Sequence, residues 1–193
     1  MSDLRILGLA GSLRPASLNR ALLRAAASLV PAGVELQIFD LDEIPLYRGD
    51  VDTDADRPAS VTALKNAISG ANGVLIATPE YNYGVPGVLK NALDWASRPA
   101  FVSPFRDKPS AIVGASPGLF GAARAQAHLK LHLLAMGSPV FAYPEFCLGQ
   151  ARSRMDGDTM TDDKSREMLT GLLAEFAEFC RALQAFGRNR RAE

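Results

Sequence analysis

Cysteine is scarce in this chain: Cys147 and Cys180 stand alone and far apart. Two isolated thiols cannot build a disulfide framework or a zinc site, and both read as small buried hydrophobes instead of redox partners. No apolar run approaches the roughly 20 residues that a membrane helix needs. The opening "MSDLRILGLAGS" lacks the basic stretch, apolar core and cleavage site of a secretory leader. An excess of either charge is missing too, since Lys plus Arg and Asp plus Glu each number 21. Without a field of one sign, nothing draws the chain onto nucleic acid or an anionic membrane. The expectation is a cytoplasmic protein with no nucleic-acid or membrane partner. Internal repeats, low-complexity tracts and interdomain linkers are also absent. Residues 1–193 are therefore expected to form a single domain, long enough to bury about 70% of its unfolded surface.

What the chain does have is alternation. Short apolar runs rich in β-branched residues occur at "LRILGLA" (4–10), "VELQIFD" (34–40), "GVLIAT" (73–78), "PSAIVGA" (109–115) and "PVFAY" (139–143). Between them, helical spacing predicts helices over 17–30, 58–70, 86–97 and 120–136, with a last one over 162–186. In the last, Leu169, Leu172, Leu173, Phe176, Phe179, Cys180 and Leu183 form a core-facing stripe. Five strands alternating with five helices imply right-handed crossovers and a parallel α/β sheet with helices on both faces. Such sheets take ligands at the carboxyl ends of their strands, near the point where strand order reverses. Special residues should then follow strands one, three and four.

They do. After strand one, "GLAGSLRPASLNRALL" (8–23) runs from a tight glycine turn into a helix start, with Ser12, Ser17 and Asn19 as short polar groups and Arg14 as a cation. The segment suits a phosphate, and equally a plain capped helix N-terminus. It is neither G-x-G-x-x-G nor a P-loop. After strand three comes "PEYNYGVPGVLKNALDWASRP" (79–99). Pro79 and Gly84 shape its loop, Pro86 suits a first helical position, and Lys90 and Asp94 are spaced for an ion pair. Tyr81, Asn82 and Tyr83 precede that helix. They offer flat apolar surface and amide groups together, as a planar heteroaromatic ligand needs. The plainer alternative is that Tyr81, Tyr83 and Trp95 merely pack against neighbours.

Other patterns point nowhere specific. His128 and His132 in "HLKLH" have zinc spacing but no third ligand. The acids of "RGDVDTDADRP" (48–58) lack the glycine and terminal glutamate of a calcium loop and read as an exposed acidic loop. "DGD" (156–158) reads as a turn, and "GRNRRAE" (187–193) as a solvated, frayed end. No His/Asp partners can be assigned to Ser12 or Ser116, so a serine hydrolase is disfavoured. No metal site is expected.

The two loop segments, "GSLRPASLNRALL" and "PEYNYGVPGVLKNALDWASRP", resemble the signatures of the NADPH-dependent FMN reductases, a group that includes bacterial chromate/quinone reductases. The likeness continues through "IPLY" (44–47), "GAARAQAH" (121–128) and "PEF" (144–146). It implies a flavodoxin-like three-layer sandwich with a five-stranded parallel sheet in the order 2-1-3-4-5. It implies that Ser12, Arg14, Ser17, Leu18 and Asn19 hold the phosphate of non-covalent FMN. Pro79, Glu80, Tyr81, Asn82, Tyr83 and Gly84 would line its ring, and Ser116 would add a third contact. The implied activity is NAD(P)H oxidation, with two electrons passed through flavin to a quinone or to acceptors such as chromate, azo or nitro compounds. The chemistry then belongs to the cofactor, and no side chain is named as catalytic. The family also implies a homodimer or homotetramer, with the helix after Pro86 at the subunit contact. "SPGLFGAARA" (116–125) would face the electron acceptor. A flavodoxin-type electron carrier that binds FMN without oxidising NAD(P)H, or a non-redox binding module, could use the same fold.

Overall fold

The structure, a computed structural model, describes residues 3–192. Five strands form one parallel sheet: β1 (Leu4–Ala10), β2 (Val34–Phe39), β3 (Gly73–Ala77), β4 (Ser110–Ala115) and β5 (Val140–Leu148), in the order β2-β1-β3-β4-β5. Every residue of β3 and β4 is buried, as the continuous apolar runs require of central strands covered on both faces. The helices are α1 (Leu18–Ala27), α2 (Ala59–Gly70), α3 (Gly87–Ala96), α4 (Ala123–Ala135) and α5 (Asp163–Ala192). No helix among the described residues is long and apolar enough to cross a membrane.

Two core layers sandwich the sheet. On one face, Leu22 and Leu23 of α1 pack with Leu169, Leu173, Phe176 and Cys180 of α5. On the other, Val61 and Leu64 of α2, Leu93 and Trp95 of α3, and Leu129 and Leu133 of α4 close the second layer. Burial pushes the Cys180 thiol up to about 12, which leaves it un-ionised at neutral pH. Trp95 is fully buried, and its indole N–H donates to the Pro45 carbonyl at 2.8 Å, tying the "IPLY" segment to α3. The Lys90–Asp94 pair forms at 2.7 Å.

Differences from the sequence reading are local. β5 extends through Leu148, past the expected end at 143. A register shift against β4 between Ala111 and Val113 absorbs the intervening residues, and an edge strand tolerates Pro144. A small hairpin, β6 (Met155–Asp156) with β7 (Thr159–Met160), surrounds the expected "DGD" turn, whose Gly157 adopts φ 54°. Asp52 departs from the exposed acidic loop: its side chain is buried against Arg57 at 2.6 Å and Lys65 at 3.8 Å. α5 runs on through Ala192, and the exposure expected of "GRNRRAE" lies outside the described residues.

Candidate functional site

The chain lays β2 on one side of β1 and β3 on the other, so strand order reverses between β1 and β3. The loops after β1, β3 and β4 all emerge at this carboxyl edge. Gly11 brings the first two together: a Cβ there would lie 3.2 Å from Pro79 and from Leu89. Its N–H donates to the Ala77 carbonyl at 2.9 Å.

In the first loop, Ser17 is the N-cap of α1, and its hydroxyl accepts from the N–H groups of Asn19 and Arg20 at 3.3 Å. The Ser12 hydroxyl accepts from Arg14 N–H at 3.4 Å. The backbone N–H groups of Leu13, Ala16 and Leu18 find no partner among the described residues, and residues 13–16 are exposed. Free N–H groups at a helix N-terminus beside the Arg14 cation make an anion cradle. Asn19 is buried and faces inward. Its amide donates to the Ala115 carbonyl and accepts from the Ala115 N–H, both at 2.9 Å. It braces the end of β4 against α1.

The second loop is a two-residue turn. Tyr81 N–H donates to Gly84 O at 3.2 Å, and Gly84 N–H returns to Tyr81 O at 3.0 Å. Asn82 and Tyr83 between them take φ 50° and 67°, the left-handed pair of a type I′ turn. For a tyrosine that conformation is strained. Neither ring is core: Tyr81 is 48% and Tyr83 64% exposed, and only Trp95 follows the plain packing alternative.

Glu80 is spent on α4. Its carboxylate accepts from Arg124 N–H at 2.9 Å and Ala125 N–H at 3.3 Å, and pairs with the Arg124 guanidinium at 2.8 Å. Desolvation alone would raise the Glu80 carboxyl, but these bonds together outweigh it and hold it below its ordinary value. The stability it contributes is present above the usual carboxylate range and is lost as pH falls through the lowered value. We expect Glu80→Gln to melt lower than wild type near neutral pH, with the two curves converging in acid. Parallel curves across that range would show that Glu80 carries no such linkage.

The third loop folds on itself. Ser116 Oγ donates to Gly118 O at 3.1 Å and accepts from Gly121 N–H at 3.2 Å, so the hydroxyl shapes the loop. The loop leaves Leu119 and Phe120 exposed at 72% and 64%. A line of exposed apolar side chains beside an anion cradle fits a ligand with a flat ring and a charged tail, and FMN has both. Sequence reasoning missed Arg124. A cation at the second position of a helix sits at the wrong end of the macrodipole, and that signal could have found it.

Other candidates stay apart. A cavity of about 560 Å³ opens at the opposite, amino end of the sheet, between the C-terminal turns of α3 and α4 and the 98–107 segment. None of the expected site residues lines it. His132 Nδ1 lies 2.7 Å from the His128 carbonyl of its own helix. Among the described residues no group of three or more His, Cys, Asp or Glu could hold a metal ion.

With this geometry in hand, residues 4–153 match the family model described as NADPH-dependent FMN reductase. The chain is 43% identical to an NAD(P)H-dependent FMN reductase from Pseudomonas aeruginosa, covering 94% of this chain and 98% of that one. It is 41% identical to a quinone reductase from Escherichia coli (strain K12), covering 91% and 95%. Among solved structures it resembles a flavoenzyme NAD(P)H:(acceptor) oxidoreductase from Paracoccus denitrificans. The TM-score is 0.85 at 36% identity, covering 93% of this chain and 98% of that one.

Proposed function

The chain belongs to the NADPH-dependent FMN reductase family, and from that premise we infer an FMN-dependent NAD(P)H oxidoreductase acting on a small-molecule acceptor, a quinone or a compound of similar chemistry. The observation that carries the reading is the meeting of three loops at the strand-order reversal, one an anion cradle and one an exposed aromatic turn. FMN, held there by the residues named below, would supply the two-electron chemistry that links reduced nicotinamide to the acceptor.

The protein's own residues bind and orient. Ser12, Arg14 and the N–H groups about Ser17 and Leu18 would hold the phosphate, with Asn19 fixing the helix that presents them. Pro79, Tyr81, Asn82, Tyr83 and Gly84 would line the ring. Glu80 would tie that loop to α4, and Ser116 would shape the remaining wall. Residues 1–193 would act as one FMN-binding domain in the cytoplasm, without a nucleic-acid partner.

Stopped-flow mixing of the FMN-loaded protein with NADPH or NADH tests the activity. Bleaching of the flavin is expected, followed by recolouring on addition of a quinone, and failure of both nicotinamides to bleach it would sink the reading. The cradle has its own test. Changing Ser12 and Arg14 together to Ala is expected to weaken FMN binding about ten- to a hundredfold as charge-assisted phosphate contacts are lost. The fold should persist, because both residues lie in a loop outside β1 and α1. Unchanged affinity in a titration would move the phosphate elsewhere.

Self-association as a homodimer or homotetramer is supported by the α3–α4 face. There Phe101 and Leu134 line the amino-end cavity and are exposed, as are Val102 of the 98–107 segment and Leu131 of α4. Leu134→Glu is expected to lower the mass seen by light scattering. An unaltered mass would exclude this face.

A further inference from the structure

Arg124 sits in the first turn of α4, where the helix dipole disfavours a cation. Its contacts explain why it is held there. One edge of the guanidinium pairs with Glu80 at 2.8 Å, and Glu80 in turn caps the N–H groups of Arg124 and Ala125. The guanidinium carbon lies 4.2 Å from the centroid of the Tyr83 ring and 4.8 Å from that of Phe120. The cation therefore joins the second loop to the third across the mouth of the site.

Tyr83 needs such a partner. Its backbone is left-handed and its ring is exposed, so the rest of its own turn does little to fix the ring plane. Stacking against a planar cation that is itself anchored to a helix supplies that constraint.

We propose that Arg124 is the positioning residue of the ring-binding face: anchored by Glu80 to α4, it fixes Tyr83 and the Asn82–Tyr83 backbone and so sets the tilt of the FMN ring. Arg124 acts through Tyr83. It donates to no ligand in this role and moves no proton. The proposal rests on the site reading given above.

The test titrates FMN into the full chain and records the visible circular dichroism of the bound flavin, a signal set by ring orientation. Arg124→Ala is expected to weaken FMN about tenfold, the scale of a lost cation–π contact plus lost preorganisation, and to change the visible dichroism. Arg124→Lys keeps the charge but not the plane, and should behave more like Arg124→Ala than like wild type. In a Tyr83→Leu background, Arg124→Ala should add little further. Should Arg124→Ala fold poorly, the lysine variant carries the same readouts. Three results would overturn the proposal: wild-type affinity and dichroism in both Arg124 variants, a full Arg124→Ala effect without Tyr83, or a change confined to the KM for nicotinamide. A wild-type chain that fails to bind FMN would instead fell the site reading itself.

Discussion

Asn19→Ala is expected to destabilise the protein by about 2–4 kcal/mol, because two buried backbone groups lose their partners at once. Both partners belong to Ala115, the last residue of β4, whose N–H and carbonyl engage the Asn19 amide at 2.9 Å. Alanine leaves that donor and acceptor dry and unpaired. For a chain of this size the melting temperature should fall by roughly 4–16 °C. FMN binding should weaken as well, since the same brace sets the start of α1 relative to the loop that begins at Ser116. Asn19→Asp separates the two bonds. It keeps an acceptor for the Ala115 N–H but turns a carboxylate towards the Ala115 carbonyl, so it should rescue little. A melt of Asn19→Ala indistinguishable from wild type would show that water replaces the amide without cost.

Gly121→Ala should be at least as damaging. Gly121 has φ 54°, where a side chain is strained, and its added Cβ would lie 2.4 Å from the Cys147 carbonyl carbon and 2.7 Å from the Leu148 nitrogen. Those neighbours are strand backbone and cannot rotate away. Strain and overpacking together should cost about 2–6 kcal/mol. The loop has no room on its other contacts either: a Cβ on Gly149 would sit 2.1 Å from Leu119 O, and one on Gly114 would sit 2.6 Å from Gly121 O. Gly118→Ala is the matched control. It lies in the same loop, and its added Cβ meets only Ser116 Oγ, at 3.9 Å. Thermal melts should separate the two variants clearly. If Gly121→Ala melts like Gly118→Ala, the loop is not seated on β5 as described.

The sheet was legible because central parallel strands leave an unbroken apolar record, and glycine and proline mark where β1, β3 and β4 end. The strand order then placed the three loops correctly at one edge. The apolar run at 139–143 gives only the first part of β5, because the register shift that carries the strand through Pro144 to Leu148 is invisible without its partner strand. The loops' inner workings were less legible because their partners are distant in sequence. Asn19 reaches across 96 positions to Ala115, and Glu80 across 44 to Arg124. Composition and local spacing show that Asn19 and Glu80 are polar, but not which way they face. Ser116 is the opposite case: its partners are two and five residues away, yet a hydroxyl bonding within its own loop leaves no pattern.

The turn at Asn82 and Tyr83 also bears on how such a reductase could be made more robust. Asn-Gly is the sequence that a type I′ turn favours, and glycine at 83 would occupy φ 67° without strain. The chain instead holds an aromatic residue in a conformation that costs about 1–2 kcal/mol. Thermostability screens run without flavin would reward glycine at this position while stripping the site of its exposed ring. If Tyr83 lines the flavin ring as proposed, selection for heat tolerance and selection for turnover pull in opposite directions at position 83, and a library built around this protein should leave that codon fixed.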